Sequence, residues 1–341
     1  KHNQNQFLHM KAKTNKMSKE FDVVAIGSGT RDTYLFFKED HVYNHVADLK
    51  VAYCFRLGSK VDAQTLMSFT GGGGSNVSAA LAFFGVKTAW AGMVGDDLPG
   101  DNVLTELKKY GADVSLVKKN KKVPTNQSIV LIHPGVDRTI LVYRGASSEF
   151  SKKDLDLSGL SAKWIFVGPM TGKNLTIMPT VFKFAKENGA KIYANPSKPQ
   201  AEYYSKNKKA LKGIDIISLN EEEAEVLCGS GKKYEEMARE ICKLTGGLAV
   251  LTLGKDGAMA CDGQSIYKAG ILPAKVVDKT GAGDSFNAGF LYAYMRTGSI
   301  VDGLQFGTAN ATANVKTMGA KWNFQDPAKK WTKVKVIVKS V

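Results

Sequence analysis

The chain has 341 residues, 43% hydrophobic and 23% charged, which fits one large, folded α/β domain. It has no apolar run approaching the ~20 residues of a membrane span, and no signal-peptide core near its start. The net charge of +15 suggests nucleic acid, but residues 1–20 carry +4 and residues 328–341 carry +5, leaving +6 for the body, with no Arg/aromatic stripe.

Solvated tails account for that basicity, so neither a nucleic-acid nor a membrane partner is expected. Cys54, Cys228, Cys242 and Cys261 have no C-x-x-C spacing, which argues against zinc and disulfides and for a reducing cytoplasm. Residues 1–20 read as a flexible leader or an expression remnant, with Met17 a candidate start. "FDVVAIGSG" (21–29) reads as a buried parallel strand running into a loop. Residues 32–70 carry short β-like runs such as "TYLFF" and "VAYCFRL".

"NVSAALAFFGV" (76–86) reads as a helix with a Gly stop, "TAWAGMVG" as a strand, and "PGDNVLTELKKYGAD" as a helix ended by Gly111. "QSIVLIHPGVDRTILVYRG" (127–145) reads as a hairpin turning at "PGVD". From "AKWIFVG" to "LAVLTLG", strands and helices alternate, which predicts a parallel sheet covered by helices on both faces. The β-rich pieces at 32–70 and 120–145 break the alternation and predict a small separate sheet, a lid. Residues 328–341 read as a basic tail.

Two familiar motifs fail. "GSGTRD" (27–32) lacks the third glycine of a dinucleotide fingerprint, and "GPMTGKN" (168–174) lacks Walker A spacing and its Ser/Thr. "DKTGAGDSFNAGF" (278–290) is different. Gly281, Ala282 and Gly283 strip side chains from a helix mouth, where unpaired amides and the helix dipole favour an anion. Asp284 then has two readings: a cap that compensates the dipole, or a general base beside a transferring phosphoryl group. "GGGGSN" (71–76) brings Asn76 to a helix start, as a cap or a ligand to a hydroxyl. Asn220 and Glu223 in "LNEEEA" form either a capping box or a polar pair holding the water shell of Mg²⁺. "LTLGKDGA" (251–258) is a strand entering a Gly turn, where a nucleotide could lie.

These pieces, in this order and ending with "MGA" (318–320), resemble the PfkB, or ribokinase-like, carbohydrate kinases from about Phe21 to Phe324. The resemblance implies a three-layer α/β sandwich with a mostly parallel central sheet and a β-sheet lid, the kinase domain covering 21–327. It implies Asp284 as catalytic base and the amides of Gly281, Ala282 and Gly283 as anion hole. Asp32, Gly72, Gly73 and Asn76 would bind substrate hydroxyls. Asn195, Asn220, Glu223, Thr252, Gly254 and Gly257 would serve ATP, with Asn220 and Glu223 holding Mg²⁺ through water. Asp278, Thr280 and Gly319 match where many members hold a monovalent cation such as K⁺. The chain departs from the pattern at Lys279, and from ribokinases proper at Thr30 and Gly73, where Asn and Lys are common.

The expected activity is phosphorylation of a small sugar or sugar-like alcohol by ATP. A nucleoside kinase of the same fold is the alternative, with Tyr34, Phe36 and Phe37 as candidate base-stacking residues or as lid core. A non-catalytic sugar- or nucleotide-binding regulator is the third reading. Lids of this family often pair between subunits, which leaves a homodimer open.

Overall fold

The computed structural model describes residues 19–37, 42–46, 49–132 and 138–340. Most of the expected leader and the "PGVD" turn lie outside the described residues. The chain starts with β1 (Lys19–Ile26), β2 (Thr30–Phe36), β3 (Val42–Val46), β4 (Leu49–Tyr53) and β5 (Thr65–Gly71). Next come α1 (Gly73–Phe83), β6 (Thr88–Ala91), β7 (Met93–Gly95), α2 (Leu98–Tyr110), β8 (Lys118–Asn120), β9 (Asn126–Ile132) and β10 (Thr139–Tyr143). The alternating part is β11 (Leu160–Val167), α3 (Met178–Asn188), β12 (Lys191–Ala194), α4 (Lys198–Lys206), β13 (Ile216–Asn220), α5 (Glu221–Cys228), α6 (Tyr234–Thr245) and β14 (Leu248–Thr252). The chain ends with β15 (Ala258–Cys261), β16 (Ser265–Ala269), α7 (Ala282–Thr297), α8 (Ile300–Asn314) and β17 (Val336–Ser340).

A nine-stranded sheet runs β17-β16-β15-β14-β13-β12-β11-β1-β6. From β6 to β14 every pair is parallel, and β15, β16 and β17 add antiparallel strands at one side. Strand alternation splits the core into two layers. Val24 and Ile26 of β1, Ile165 of β11, Ile217 of β13 and Leu251 of β14 face Val181 of α3, Leu227 of α5 and Ile241 of α6. Val23, Ala25, Phe166, Ile216 and Val250 face the other way, toward Leu81 of α1, Phe290 of α7 and Leu304 of α8. Both faces of these strands are therefore apolar, as a parallel sheet between two helical layers requires.

The small sheet runs β10-β9-β2-β5, with β2 and β9 parallel and the other pairs antiparallel. α2 shows the local rules clearly. The Asp97 side chain accepts from the Gly100 amide at 2.9 Å, Pro99 sits in the first turn, and Gly111 ends the helix at φ 90°.

Three segments differ from expectation. α1 begins at Gly73, three residues before Asn76, because its mouth packs directly on the end of β1. A Cβ on Gly74 would lie 2.7 Å from the Gly27 backbone. This close approach overrides the low helix propensity of glycine. "TAWAGMVG" splits at Gly92 into β6 and β7, and β7 pairs with β8 in a sheet of its own. Residues 328–341 are not simply a solvated tail, since β17 forms the edge of the central sheet against β16. In "KVKVIV", Val334 is buried in the α7/α8 layer, while the lysines suit an open sheet edge.

Candidate active site

β1, β11, β12, β13 and β14 all end at one edge of the sheet, and strand order reverses at β1, where α/β proteins of this kind place their ligands. α7 points its N-terminus into this edge. Gly281 caps it at φ 76°, a left-handed conformation, and a Cβ there would lie 2.4 Å from Cβ of Ala320. A Cβ on Gly283 would meet nothing within 4 Å, so the space before the helix mouth is open. The Ala282 amide is not free as expected, because it donates to the Lys279 carbonyl at 3.2 Å in the turn that starts the helix. The amides of Gly281, Gly283 and Asp284 have no acceptor among the described residues.

Asp284 meets α1 here. Asn76 Nδ2 donates to its Oδ2 at 2.7 Å. Burial pushes the Asp284 carboxyl above its usual range, while the Asn76 bond and the Lys321 ammonium oppose that rise. Gly73 faces the same carboxylate, since a Cβ there would lie 3.2 Å from Asp284 Oδ1 and 2.6 Å from Cδ of Pro169. Gly72, at φ 93°, passes so close to Ser28 that a Cβ would lie 2.5 Å from its carbonyl oxygen.

Asp32 stands on β2, buried, with Oδ1 accepting from the Thr30 hydroxyl at 3.1 Å. Gly71 leaves room for it, because a Cβ would lie 2.1 Å from Asp32 Oδ2. Burial raises the Asp32 carboxyl, against the Ser128 and Thr30 hydrogen bonds and the attraction of Lys321.

Lys321 was not visible in the sequence, where it is one lysine among many. It is fully buried, and its Nζ donates to Thr70 Oγ1 at 2.6 Å with Glu106 Oε2 at 3.7 Å. Burial pushes its ammonium down to about 8, against the pull of Glu106, Asp32 and Asp284. The Tyr110 hydroxyl donates to the Lys321 carbonyl, and the Thr70 hydroxyl to Glu106. A buried cation thus lies among the carboxylates of Asp32, Asp284 and Glu106.

On the other side, Asn220 and Glu223 close a capping box at α5. The Glu223 amide donates to Asn220 Oδ1 at 2.8 Å, and the Asn220 amide to Glu223 Oε2 at 2.9 Å. Burial raises the Glu223 carboxyl to about 7; its Asn220 bond opposes this, and the charges of Glu222 and Asp284 add to it. A cleft of about 520 Å³ opens at the ends of β13 and β14, lined by Asn220, Thr252 and Gly254 among others. Gly257 lies outside that lining and closes the turn into β15, where a Cβ would lie 2.1 Å from the Ala269 carbonyl oxygen. Asn195, at the end of β12, spends its Nδ2 on the Ser218 carbonyl at 2.9 Å.

Asp278, Thr280 and Gly319 also converge. Burial would raise the Asp278 carboxyl, but donors from Thr280, Gly319 and Tyr34 hold it below the usual range. Tyr34 is fully buried and Phe37 nearly so, which makes them lid core rather than surfaces for stacking a base.

Comparison with known proteins gives this constellation a family. The chain matches the pfkB family carbohydrate kinase family over residues 42–326. A ribokinase of Haemophilus influenzae is 26% identical over 293 residues, 83% of this chain and 90% of that protein. A 5-dehydro-2-deoxygluconokinase of Clostridium perfringens is 27% identical over 270 residues, 73% of this chain and 79% of that one. Among solved structures, a probable sugar kinase protein from Rhizobium etli superposes with a TM-score of 0.73 at 22% identity, covering 89% of this chain and 96% of that one. The family match begins after β2, so the placement of Asp32 and Tyr34 stands on geometry. Fold, motif order and family match agree, and the chain belongs to the pfkB family of carbohydrate kinases.

Proposed function

We propose that this protein transfers the γ-phosphoryl group of ATP to a hydroxymethyl group of a small sugar or sugar-like alcohol, with Asp284 as general base. The observation that carries this reading is the Asp284 carboxylate, fixed by Asn76 at 2.7 Å beside a helix mouth with open amides. Asp284 orients the acceptor hydroxyl and receives its proton. In a loose phosphoryl-transfer transition state the proton leaves late, so a carboxylate is basic enough. The amides of Gly281 and Gly283, with that of Asp284, stabilise the charge spreading over the phosphoryl oxygens.

Asp32 and Asn76 hold the acceptor's other hydroxyls, over the bare backbone of Gly72 and Gly73. ATP lies in the cleft at Thr252 and Gly254, its phosphates toward Asn195, with Gly257 shaping the turn. The donor set fits Mg²⁺ held through water, since Glu223 gives only Oε2 to the capping box and keeps its other carboxylate oxygen to accept from a metal-bound water, while Asn220 Oδ1 is engaged by the Glu223 amide. When bound, Mg²⁺ neutralises phosphate charge.

The catalytic domain runs from β1 into β17, and the small sheet is its lid, which excludes water as a competing nucleophile. On β10 the side chains of Ile140, Leu141, Val142 and Tyr143 are exposed, which supports a homodimer through the lid. The free cysteines suit a reducing, cytoplasmic location.

A panel of sugars, polyols and nucleosides with MgATP, read by ADP release, tests the proposal. The expected result is acceptor-dependent ADP release with at least one sugar or polyol. Preference for nucleosides would replace the sugar reading. Tight ATP binding with no ADP release from any acceptor would leave a non-catalytic binding protein.

A further inference from the structure

The Asp278 carboxylate has no acceptor position to spare. Its Oδ1 accepts from the Thr280 amide at 2.9 Å and the Thr280 hydroxyl at 2.7 Å. Its Oδ2 accepts from the Tyr34 hydroxyl at 2.9 Å and the Gly319 amide at 3.0 Å. An ionised carboxylate offers about four lone-pair positions on its two oxygens. The chain's own donors take all of them, so a cation could reach this carboxylate only by displacing a donor.

Three of these donors come from the segments beside the helix mouth. The fourth comes from the small sheet, 244 residues away in sequence. The Tyr34 ring is fully buried and lies edge-on to Phe69 at 5.3 Å and 89°. Phe69 in turn packs on Gly319, where a Cβ would lie 2.9 Å from the ring. β2, β5 and the segment after α8 therefore fix the hydroxyl on Asp278. Two residues beyond Asp278 is Thr280, and the next residue is Gly281, the cap of α7. Whatever holds Asp278 holds the helix mouth.

We infer that the Tyr34 hydroxyl takes the place on Asp278 that a monovalent cation would otherwise occupy, so that this chain orders its helix mouth with a side chain of the small sheet and needs no K⁺. Tyr34 is a positioning residue: it acts on the amides of α7 through Asp278. The consequence for turnover rests on the kinase reading above, whereas the consequence for cation binding rests on the geometry alone.

Tyr34→Phe removes the hydroxyl and keeps the ring. Wild type and variant are compared in KCl and in choline chloride at equal ionic strength. Melting temperature is read on the protein alone, and turnover with MgATP and the acceptor found by the panel. Wild type is expected to keep its melting temperature, and its kcat within about 2-fold, because the Asp278 carboxylate has no open position for K⁺. Tyr34→Phe is expected to lose roughly 10-fold in kcat in choline, as for the loss of a hydrogen bond to a charged group, and to regain much of it in KCl. Its melting temperature should rise in KCl by more than about 2 °C.

A wild-type melting temperature or kcat that rises in KCl overturns the inference. So does a Tyr34→Phe protein indifferent to the exchange in both measurements. Should that variant not fold, Thr280→Val removes another donor from the same carboxylate and is read in the same way. The melting comparison needs no acceptor, so it stands even if the panel finds none.

Discussion

Replacing Asn76 by alanine separates a catalytic carboxylate from one that merely caps a helix. The bond removed is the 2.7 Å donation from Asn76 Nδ2 to Asp284 Oδ2. A hydrogen bond to a charged group contributes ~1.5–3 kcal/mol, and 1.4 kcal/mol is a factor of ten in an equilibrium. Its loss therefore raises the proton affinity of Asp284 by roughly 10- to 100-fold. The sign follows from the role. A general base works ionised, so activity falls as pH drops through the folded pKa of Asp284, which burial already holds above the usual carboxylate value. In Asn76→Ala the same fall must begin at higher pH. The alkaline plateau changes only because residue 76 no longer holds the acceptor, and chiefly in KM. The assay is kcat and kcat/KM against pH, by coupled ADP detection, for both proteins. An acid limb that coincides with the wild-type limb, or moves to lower pH, refutes Asp284 as the titrating base.

Asp284→Asn should lose at least ~100-fold in kcat while melting no lower than wild type, because a neutral amide is easier to bury than a carboxylate. Near-normal turnover would remove Asp284 from the chemistry. Glu223→Gln should fold normally, since glutamine can also close a capping box, and should need more Mg²⁺ for half-maximal rate. With burial placing the Glu223 carboxyl at about 7, the wild-type Mg²⁺ requirement should ease as pH rises through that value. The glutamine variant should lose this pH dependence, as a Mg²⁺ titration at several pH values would reveal. Gly281→Ala combines a left-handed φ of 76° with a Cβ 2.4 Å from that of Ala320. It should cost roughly 2–4 kcal/mol in denaturant unfolding, and a loss below ~1 kcal/mol would show that the helix mouth relaxes freely.

Much of this protein is legible along the chain because its signals are local. Alternating apolar runs mark the central strands, and Gly111 marks the end of α2. The order of "GGGGSN", "LNEEEA" and "DKTGAGD" identifies the family. Part of what those motifs contribute lies in the backbone. A glycine permits a close approach or a positive φ wherever the chain goes, and a capping box needs only four residues. By contrast, "KVKVIV" does not say whether it will find a sheet edge, and "GGGG" argues against the helix that it begins. Long-range packing decides both.

Besides local bonds such as those of Thr280 to Asp278, the site is tuned by charges and hydrogen bonds that are tertiary. Asn76 and Asp284 are 208 residues apart, Tyr34 and Asp278 are 244 apart, and Lys321 and Thr70 are 251 apart. The sequence by itself determined the alternating α/β pattern, because hydrophobic periodicity and glycine stops act over a few residues, and the resemblance carried by its motif order implied which segments form the site. It could not determine that Lys321 is buried among carboxylates, or that a tyrosine of the small sheet satisfies Asp278. Those depend on desolvation and on pairings that exist only once β2, α2, α7 and the segment after α8 have closed on one another.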